Sequence, residues 1–273
     1  RYDREERKAT FLFTNRKELE GLALGKMQSV TIESRDGYQL VSYYTLPVDS
    51  GCDGRPDQPL AMVLLVHGGP WGRDNWGYNP DHQWLANRGY AVLSVNFRGS
   101  TGLGKEFVNA GNMEWGGKMH DDLVDAVQWA IDEGIADPRR VAIMGGSYGG
   151  YATLVGLTFT PDNFACGVDI VGPSNLMTLL ESFPPYWQPQ IEVFATRVGD
   201  HRTEEGRALL NARSPLYYVD RIKRPLLIGQ GANDPRVKRA ESDQIVAAMQ
   251  EKDIPVTYVL YTDEGHGFAS PEN

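Results

Sequence analysis

The sequence has few cysteines and no long apolar stretch. Only Cys52 and Cys166 occur among its 273 residues, and two cysteines define neither a disulfide framework nor a redox compartment. Cys52 falls in a loop rich in Gly, Asp and Pro, whereas Cys166 lies inside an apolar run and is expected in the core. Because no run of about 18 apolar residues occurs, the sequence predicts no membrane-spanning helix and no membrane partner.

Positive charge and metal-binding patterns are also scarce. The formal net charge is −9, and an acidic surface repels phosphate backbones, so we expect no nucleic-acid partner. The five histidines are scattered without a His-Glu-x-x-His pattern. The glycines between Gly99 and Gly104 lack the Lys-Ser/Thr that completes a phosphate-binding loop. We therefore predict that the protein uses no metal and no cofactor.

The N-terminal segment has no recognisable targeting signal. Residues 1–8 are charged and lack the apolar core of a signal peptide. The sequence does not begin with Met, which favours a fragment or a processed chain. We expect a soluble protein and favour the cytoplasm, and the periplasm and secretion stay open as alternatives.

Apolar runs alternate with helical patterns along the chain. Runs typical of strands buried on both faces occur at 60–66, 91–95, 141–144, 167–171, 225–228 and 256–261. Apolar residues at helical spacing occur at 121–131 and 240–249, and residues 31–45 predict a hairpin. This order predicts an α/β fold with a mostly parallel central sheet and helices on both faces. Its ligand site is expected beyond the carboxyl ends of the strands.

One serine is flanked by glycines where a strand is expected to give way to a helix. Gly145 and Gly149 stand two residues before and after Ser147, as a sharp strand-to-helix turn requires. The N–H of the next residue, Tyr148, would lie at a helix N-terminus, where it can stabilise an oxyanion. The pattern predicts Ser147 as the nucleophile of an α/β-hydrolase. The alternative is a glycine-rich turn with a passive serine.

The acid and the histidine of such a hydrolase follow the serine along the chain. His266 sits between two glycines after the last predicted strand, whereas His201 lies in a polar stretch and is interpreted as a surface residue. Asp234 follows the preceding strand and is the expected acid, which would hold the imidazole in its tautomer. The weaker alternatives are one residue in the next helix and two beside the histidine: Asp243, Asp263 and Glu264.

A second oxyanion donor is expected in the loop after the run at 60–66. There the sequence reads His67-Gly68-Gly69-Pro70, and glycines let backbone N–H groups approach a substrate oxygen. We predict the N–H of Gly69 as the partner of Tyr148, and each such donor stabilises a transition state by about 3 kcal/mol. The side chain of His67 is interpreted as an anchor of the loop.

Five segments together resemble the catalytic domain of the prolyl oligopeptidase family, in its acylaminoacyl-peptidase and dipeptidyl-peptidase-like branch: 67–70, 96–105, 145–151, 233–237 and 265–268. The resemblance extends over approximately residues 27–268. It implies that Ser147, Asp234 and His266 form a catalytic triad. It also implies an oxyanion hole made by the N–H of Tyr148 and the region of Gly69.

The resemblance further implies residues that bind substrate. Arg236 would clamp a substrate carbonyl, a task that suits a guanidinium fork, and a surface arginine is the alternative. The ring of Tyr148, Val237 and Trp187 would line the first specificity pocket. The aromatic segment at 182–187 fits a pocket wall and ordinary packing equally well.

The sequence departs from the family pattern at both ends. Members usually carry an N-terminal β-propeller over the active site and end in a helix after the histidine loop. Residues 1–25 are interpreted as an appendage, in which 1–13 resemble the last strand of a propeller. Residues 26–273 are expected to form the catalytic domain without its last helix. Such a fragment would lack its propeller partner and is expected to form homo-oligomers.

Three functions fit these motifs. The leading hypothesis is a serine peptidase that hydrolyses short peptides or acyl-peptides through an acyl-enzyme intermediate. A carboxylesterase with the same triad is the alternative, and Arg236 together with the family resemblance favours peptides as substrates. A non-catalytic binding module is less favoured, because such modules usually lose a triad residue and none is lost here.

Overall fold

A computed structural model describes residues 1–14, 16–51, 54–183 and 185–273, so Cys52 lies outside the described residues. The strands are β1 (Tyr2–Asp3), β2 (Lys8–Ala9), β3 (Met27–Glu33), β4 (Gln39–Thr45), β5 (Leu60–Val66), β6 (Ala91–Val95), β7 (Ala136–Gly146), β8 (Cys166–Ile170), β9 (Leu226–Gly231) and β10 (Thr257–Tyr261). The α-helices are α1 (Pro80–Ala86), α2 (Lys105–Asn109), α3 (Lys118–Asp132), α4 (Tyr148–Phe159), α5 (Leu176–Glu181), α6 (Gln188–Arg197), α7 (Glu204–Ala212) and α8 (Arg239–Gln250). None of the helices in these ranges has the length and apolar character needed to cross a membrane.

Eight of the strands form one sheet in the order β10-β9-β8-β7-β5-β6-β4-β3. The six strands from β10 to β6 run parallel to one another. Only β4 and β3, at one edge, pair in antiparallel fashion, and they form the hairpin that the sequence predicts. The mostly parallel sheet is therefore confirmed.

Strand β5 shows why the sheet needs cover on both faces. Met62 and Leu64 point into the large core cluster, whereas Val63 between them packs with Leu85 and Val92 in a smaller one. Successive side chains of a strand point to opposite faces, so the two clusters lie on the two sides of the sheet. Leu85 belongs to α1, which therefore covers the second face. Helices on both faces are confirmed as well.

Some elements extend beyond the apolar patterns that predict them. Strand β7 begins at Ala136, because residues 137–140 prolong the strand although they are polar and mostly exposed. Helix α4 begins directly after Ser147, earlier than its apolar pattern at 151–157 indicates. Cys166 is half-buried in β8, so its expected place in the core is wrong.

The N-terminal segment stands apart from the main sheet. Residues 1–13 do not form one continuous strand, since β1 and β2 pair with each other as a small antiparallel hairpin. The side chains of Phe11, Leu12 and Phe13 that follow are 63–79% exposed. Our interpretation of residues 1–25 as a remnant of a propeller stays a prediction.

The predicted catalytic and oxyanion residues all follow the carboxyl ends of parallel strands. Gly69 comes after β5, Ser147 after β7, Asp234 after β9 and His266 after β10. Since these strands run in the same direction, their carboxyl ends meet at one edge of the sheet. The fold thus brings together four segments that are distant in the sequence.

Candidate active site

Ser147 occupies a strained turn between β7 and α4. Its φ is 58° and its ψ is −116°, a backbone conformation that residues other than glycine rarely adopt. A Cβ on Gly145 would lie only 2.7 Å from Cα of Gly149, so both glycines of the motif are needed for close packing. The N–H of Ser147 donates to the carbonyl of Ile170 at 2.8 Å. The turn therefore holds the serine at the edge of the sheet.

The side chains of Asp234 and His266 are joined by a hydrogen bond of 2.7 Å between Oδ2 and Nδ1. The carboxyl of Asp234 is completely buried, and its other oxygen accepts from the N–H groups of Arg236 and Val237 at 2.8 and 3.0 Å. The Asp234 carboxyl accepts from these two backbone N–H groups and lies against Nδ1 of His266. The proton on His266 is therefore assigned to Nδ1, which donates to Oδ2 of Asp234. The other ring nitrogen, Nε2, is left free to accept a proton.

Ser147 and His266 line the same cavity. Among the described contacts, no hydrogen bond joins Oγ of Ser147 to Nε2 of His266. Nucleophile–base contacts are often long without substrate and tighten in the complex. The structure therefore shows the hydrogen bond between His266 and Asp234, with Ser147 in the same cavity. The hydrogen bond between Ser147 and His266 is expected to form when substrate binds.

The cavity in front of the serine has a volume of about 390 Å³. Every residue predicted for the site lines it except Asp234, which lies behind the histidine. Its lining consists of Gly68, Gly69, Trp115, Ser147, Tyr148, Pro173, Leu179, Phe183, Trp187, Phe194, Arg236, Val237 and His266. The fold thus brings the predicted catalytic, oxyanion and substrate-binding residues together at one site.

Residues 76–273 match the Prolyl oligopeptidase family. The chain belongs to this family. It is 67% identical to dipeptidyl aminopeptidase BIII of Pseudoxanthomonas mexicana over all of this chain and 40% of that protein. It is 52% identical to dipeptidyl peptidase family member 6 of Caenorhabditis elegans, again over the whole chain and over 39% of the relative. The chain thus spans about 40% of the length of these curated relatives.

A solved structure shows the same fold. The puromycin-hydrolysing peptidase of Mycobacterium tuberculosis superimposes with a TM-score of 0.82 at 31% identity, over 92% of this chain and 37% of that one. The α/β-hydrolase fold and the resemblance to the prolyl oligopeptidase family are therefore confirmed.

Most of the apolar residues that line the cavity lie in segments where no sequence motif predicts a site. Trp115 is 4% exposed and packs edge-on against the ring of Tyr148, with 4.7 Å between centroids. Phe183 packs edge-on against both Trp187 and Phe194, at 5.1 and 4.9 Å. The aromatic segment around Trp187 therefore lines the cavity and also packs against its own neighbours. Trp115 and Phe194 come from segments without a strand or helix motif that points to a site.

His67 has the loop-anchoring contacts that we predict for it. Its Nδ1 lies 2.8 Å from the carbonyl of Gly68 and its Nε2 lies 2.9 Å from Oγ of Ser100. Its ring stacks on Phe97 with 4.5 Å between centroids. Burial lowers the pKa of His67 to about 4, so the ring is neutral at pH 7. The neutral ring holds the loop that carries Gly69.

The alternative acids have other partners. Asp243 accepts from Arg239 and from the hydroxyl of Tyr258 at 2.9 and 2.8 Å, on the solvent side of α8. Glu264 is buried and accepts from the N–H groups of Ala269 and Ser270. Asp263 is exposed. None of the three contacts His266 among the described hydrogen bonds, so the geometry favours Asp234.

Arg236 is the only Lys or Arg residue in the described lining of the cavity. It is exposed, and the described contacts include no salt bridge to its guanidinium. The guanidinium is therefore available to a polar group of a ligand.

No group of three or more His, Cys, Asp or Glu side chains in the described ranges has the arrangement of a metal site.

Proposed function

We propose that this chain is the catalytic domain of a serine peptidase that hydrolyses short peptides through an acyl-enzyme. The observation that carries the proposal is the Asp234–His266 hydrogen bond beside Ser147 in one cavity. Family membership and the 67% identity to a protein named dipeptidyl aminopeptidase support peptides as substrates. The name of the Mycobacterium tuberculosis neighbour, a puromycin-hydrolysing peptidase, agrees with cleavage at amides.

In the proposed mechanism, Oγ of Ser147 attacks the scissile carbonyl while Nε2 of His266 takes its proton. The Asp234 carboxylate holds the Nδ1–H and stabilises the imidazolium that forms. The protonated His266 then gives its proton to the leaving amine, which departs as the acyl-enzyme forms. Water attacks the acyl-enzyme in the same manner, and the acid product and free serine result.

The oxyanion of each tetrahedral intermediate would lie between two backbone donors. Tyr148 is the first residue of α4, so its N–H points out of a helix N-terminus, where negative charge is stabilised. Gly69 lines the same cavity from the opposite loop. We assign the N–H groups of these two residues to the oxyanion hole, each contributing about 3 kcal/mol of transition-state stabilisation.

The composition of the cavity also points to a substrate class. Its apolar lining comes from aromatic and aliphatic residues, and no acidic residue contributes to the described part. A desolvated cationic side chain would have no counter-ion in the described lining and would bind poorly. We propose that the residue before the scissile bond has a large apolar or aromatic side chain. The free guanidinium of Arg236 would then bind a carbonyl of the same peptide.

Two further expectations extend beyond the described chain. The relatives are about two and a half times as long as this chain, since it covers 39–40% of them. A propeller of the kind found in the family would lie in the additional length, and we propose it as the partner that limits substrate size. Homo-oligomerisation stays a prediction that size measurements in solution would test.

The proposal is tested with paired substrates. We would measure hydrolysis of dipeptidyl and N-acyl-aminoacyl anilides that end in Phe, Ala or Lys, together with short-chain acyl esters. Ser147→Ala is the matched control and should lower kcat by as much as ~10⁶-fold. Cleavage of the Phe anilide that the variant loses would support a peptidase with an apolar pocket. Hydrolysis of esters alone would support the carboxylesterase instead, and equal activity in the variant would refute Ser147 as nucleophile.

A further inference from the structure

Two segments that are separate in the sequence form parts of the cavity wall. Pro173 and Leu179 come from the turn between β8 and α5 and from α5 itself, whereas Arg236 and Val237 come from the loop between β9 and α8. The sequence separates these segments by about sixty residues. A side chain that joins them would decide how far apart the two parts of the wall lie.

Glu241 is such a side chain. It lies in the first turn of α8 and is 2% exposed. Its Oε2 accepts from the N–H groups of Ser174 and Asn175 at 3.0 and 2.9 Å. Its Oε1 accepts from the hydroxyl of Thr178. Its own backbone carbonyl accepts from the hydroxyl of Ser174 at 2.6 Å.

These partners all belong to one segment. Ser174 follows Pro173 directly, and Asn175 caps the N-terminus of α5 with its side chain. Thr178 precedes the lining residue Leu179. One carboxylate thus holds the whole turn that carries the Pro173–Leu179 wall. The side-chain amide of Gln244, one turn further along α8, donates to Oε2 of Glu241 at 2.9 Å.

The other end of the connection is equally direct. Helix α8 begins two residues after Val237, and the loop before it is fixed by the bonds from Arg236 and Val237 to Asp234. A shift of α8 against the Pro173–Leu179 wall would therefore also move Val237. None of the Glu241 contacts involves Ser147 or His266, so the reacting atoms are not held by this residue.

We propose that Glu241 is a positioning residue that sets the width of the substrate cavity and thereby its selectivity for bulky apolar side chains. The proposal rests on the peptidase function proposed above for the choice of substrate. It needs an acceptor at Oε2 in particular, because two backbone N–H groups and the amide of Gln244 donate to that oxygen. An aliphatic side chain offers no acceptor there and would leave the two backbone N–H groups unpaired.

The energetics agree with this role. Burial raises the pKa of Glu241, and the hydrogen bonds from Thr178, Asn175 and Ser174 act in the opposite direction. A buried carboxylate without donors would be costly, so the donors and the carboxylate require one another. Replacing Glu241 with leucine removes both acceptor oxygens and leaves the N–H groups of Ser174 and Asn175 without their partner. The two segments are then expected to move apart.

The test compares Glu241→Leu with the unaltered chain, with Gln244→Ala as a milder variant and Glu251→Leu as control. Glu251 lies at the exposed C-terminal end of the same helix. The probes are two aminoalkylphosphonate diphenyl esters that differ only in a Phe-like or Ala-like side chain. Oγ of Ser147 forms a bond to phosphorus while a phenol leaves with the serine proton. The second-order rate constant of labelling is measured by intact mass for each probe.

We expect Glu241→Leu to lower the Phe-to-Ala ratio of rate constants by about tenfold or more, the size of effect typical of changed pocket packing. Gln244→Ala should lower the ratio less, and Glu251→Leu should leave it unchanged. An unaltered ratio with a smaller final labelled fraction would mean that Glu241 only supports folding, which would overturn the proposal. If Glu241→Leu does not fold, an unchanged ratio in Gln244→Ala overturns it instead.

The labelling experiment separates this inference from the proposed function. Labelling requires only an activated serine and a side-chain pocket, so its ratio reports on Glu241 even if no anilide is cleaved. Absence of anilide cleavage with a normal labelling ratio would therefore refute the peptidase assignment alone. For the anilides themselves, Glu241→Leu should raise KM for the Phe substrate with a smaller change in kcat.

Discussion

The cavity has two walls that differ in how firmly they are packed. The strand-end wall consists of the loops after β5, β7, β9 and β10 together with α4 and Trp115, which packs against it. Every residue of α4 from Tyr148 to Thr158 is buried. The helical wall consists of residue 183 and residues 185–197. Among the side chains of α6 that the structure describes, only Ala195 is buried.

This difference separates two tasks of the site. Local opening costs least where few apolar contacts are buried and most where an element lies in the core. Catalysis requires closely defined positions of the reacting groups, and these groups lie on the firmly packed strand-end wall. The helical wall would contact the variable part of a substrate. Substitutions in it are expected to lower the free energy of unfolding only slightly. Specificity is therefore expected to change more readily than chemistry in this molecule.

The largest effect that tests the strand-end wall is expected from Asp234→Asn. The asparagine oxygen can still accept from the N–H groups of Arg236 and Val237, but its NH₂ group would face Nδ1 of His266. The imidazole is then held in the wrong tautomer, and we expect kcat to fall about 10⁴-fold. Anilide hydrolysis measures the loss, and a thermal melt should show little change in stability. Asp243→Asn is the control, and a loss of less than tenfold would refute Asp234 as the acid.

A pair of tryptophan substitutions compares the two walls directly. Trp115 is buried beside Tyr148, whereas Trp187 is half-buried in the helical wall. We expect Trp115→Ala to lower the free energy of unfolding by about 3–5 kcal/mol, as for other large-to-small changes in cores. Trp187→Ala should cost about 1 kcal/mol or less, as expected for a poorly buried site. Urea unfolding measures both, and equal losses would contradict the difference between the walls.

The sequence predicts the strand-end wall well because its signals are local. Each apolar run marks a parallel strand, and a short motif follows it: glycines around Ser147, or an Asp and a His after the last two strands. Parallel strands force the ends of these runs to one edge of a sheet. The positions of Ser147, Asp234 and His266 in one site therefore follow from topology, without knowledge of side-chain packing.

The rest of the cavity and its support could not be predicted in the same manner. Trp115, Leu179 and Phe194 reach the cavity through packing between segments that share no period or motif. Glu241 lies in an amphipathic helix, where an acidic residue is usually solvated, and only the neighbouring turn makes it a buried acceptor. Such contacts depend on how segments dock in three dimensions, which a single sequence does not specify.

A buried carboxyl behind the nucleophile turn tests how the strand-end wall responds to pH. Asp169 is completely buried and pairs across β7–β8 with Gly145. Its Oδ1 accepts from the N–H of Gly172 at 2.8 Å, and its Oδ2 has no described partner. Burial raises the pKa of Asp169 to about 7. The folded state therefore binds more protons than the unfolded state between about pH 4 and pH 7.

The sign of this linkage gives a prediction for Asp169→Asn. The stabilising proton of the unaltered chain is present at pH 5 and is lost as pH rises through 7. Its free energy of unfolding should therefore fall between pH 5 and pH 8 relative to the variant, by on the order of 3 kcal/mol. Urea melts at both pH values measure the difference, in which the buried His82 and His120 cancel because both proteins contain them. A difference that does not change with pH would place the pKa of Asp169 near its ordinary value.

The smallest expected effect concerns Arg236, which lies on the strand-end wall although its side chain is exposed. Arg236→Lys keeps the charge but loses the planar fork, so a bound carbonyl would be held less well. We expect KM for the Phe anilide to rise about tenfold, the loss of one charge-assisted hydrogen bond, while kcat changes little. Arg239→Lys, which lies three residues further and pairs with Asp243, should leave both constants unchanged. A fall in kcat at constant KM would show that Arg236 acts only in the transition state. Arg236 would then belong with the reacting residues of the strand-end wall and not with residues that only bind the substrate.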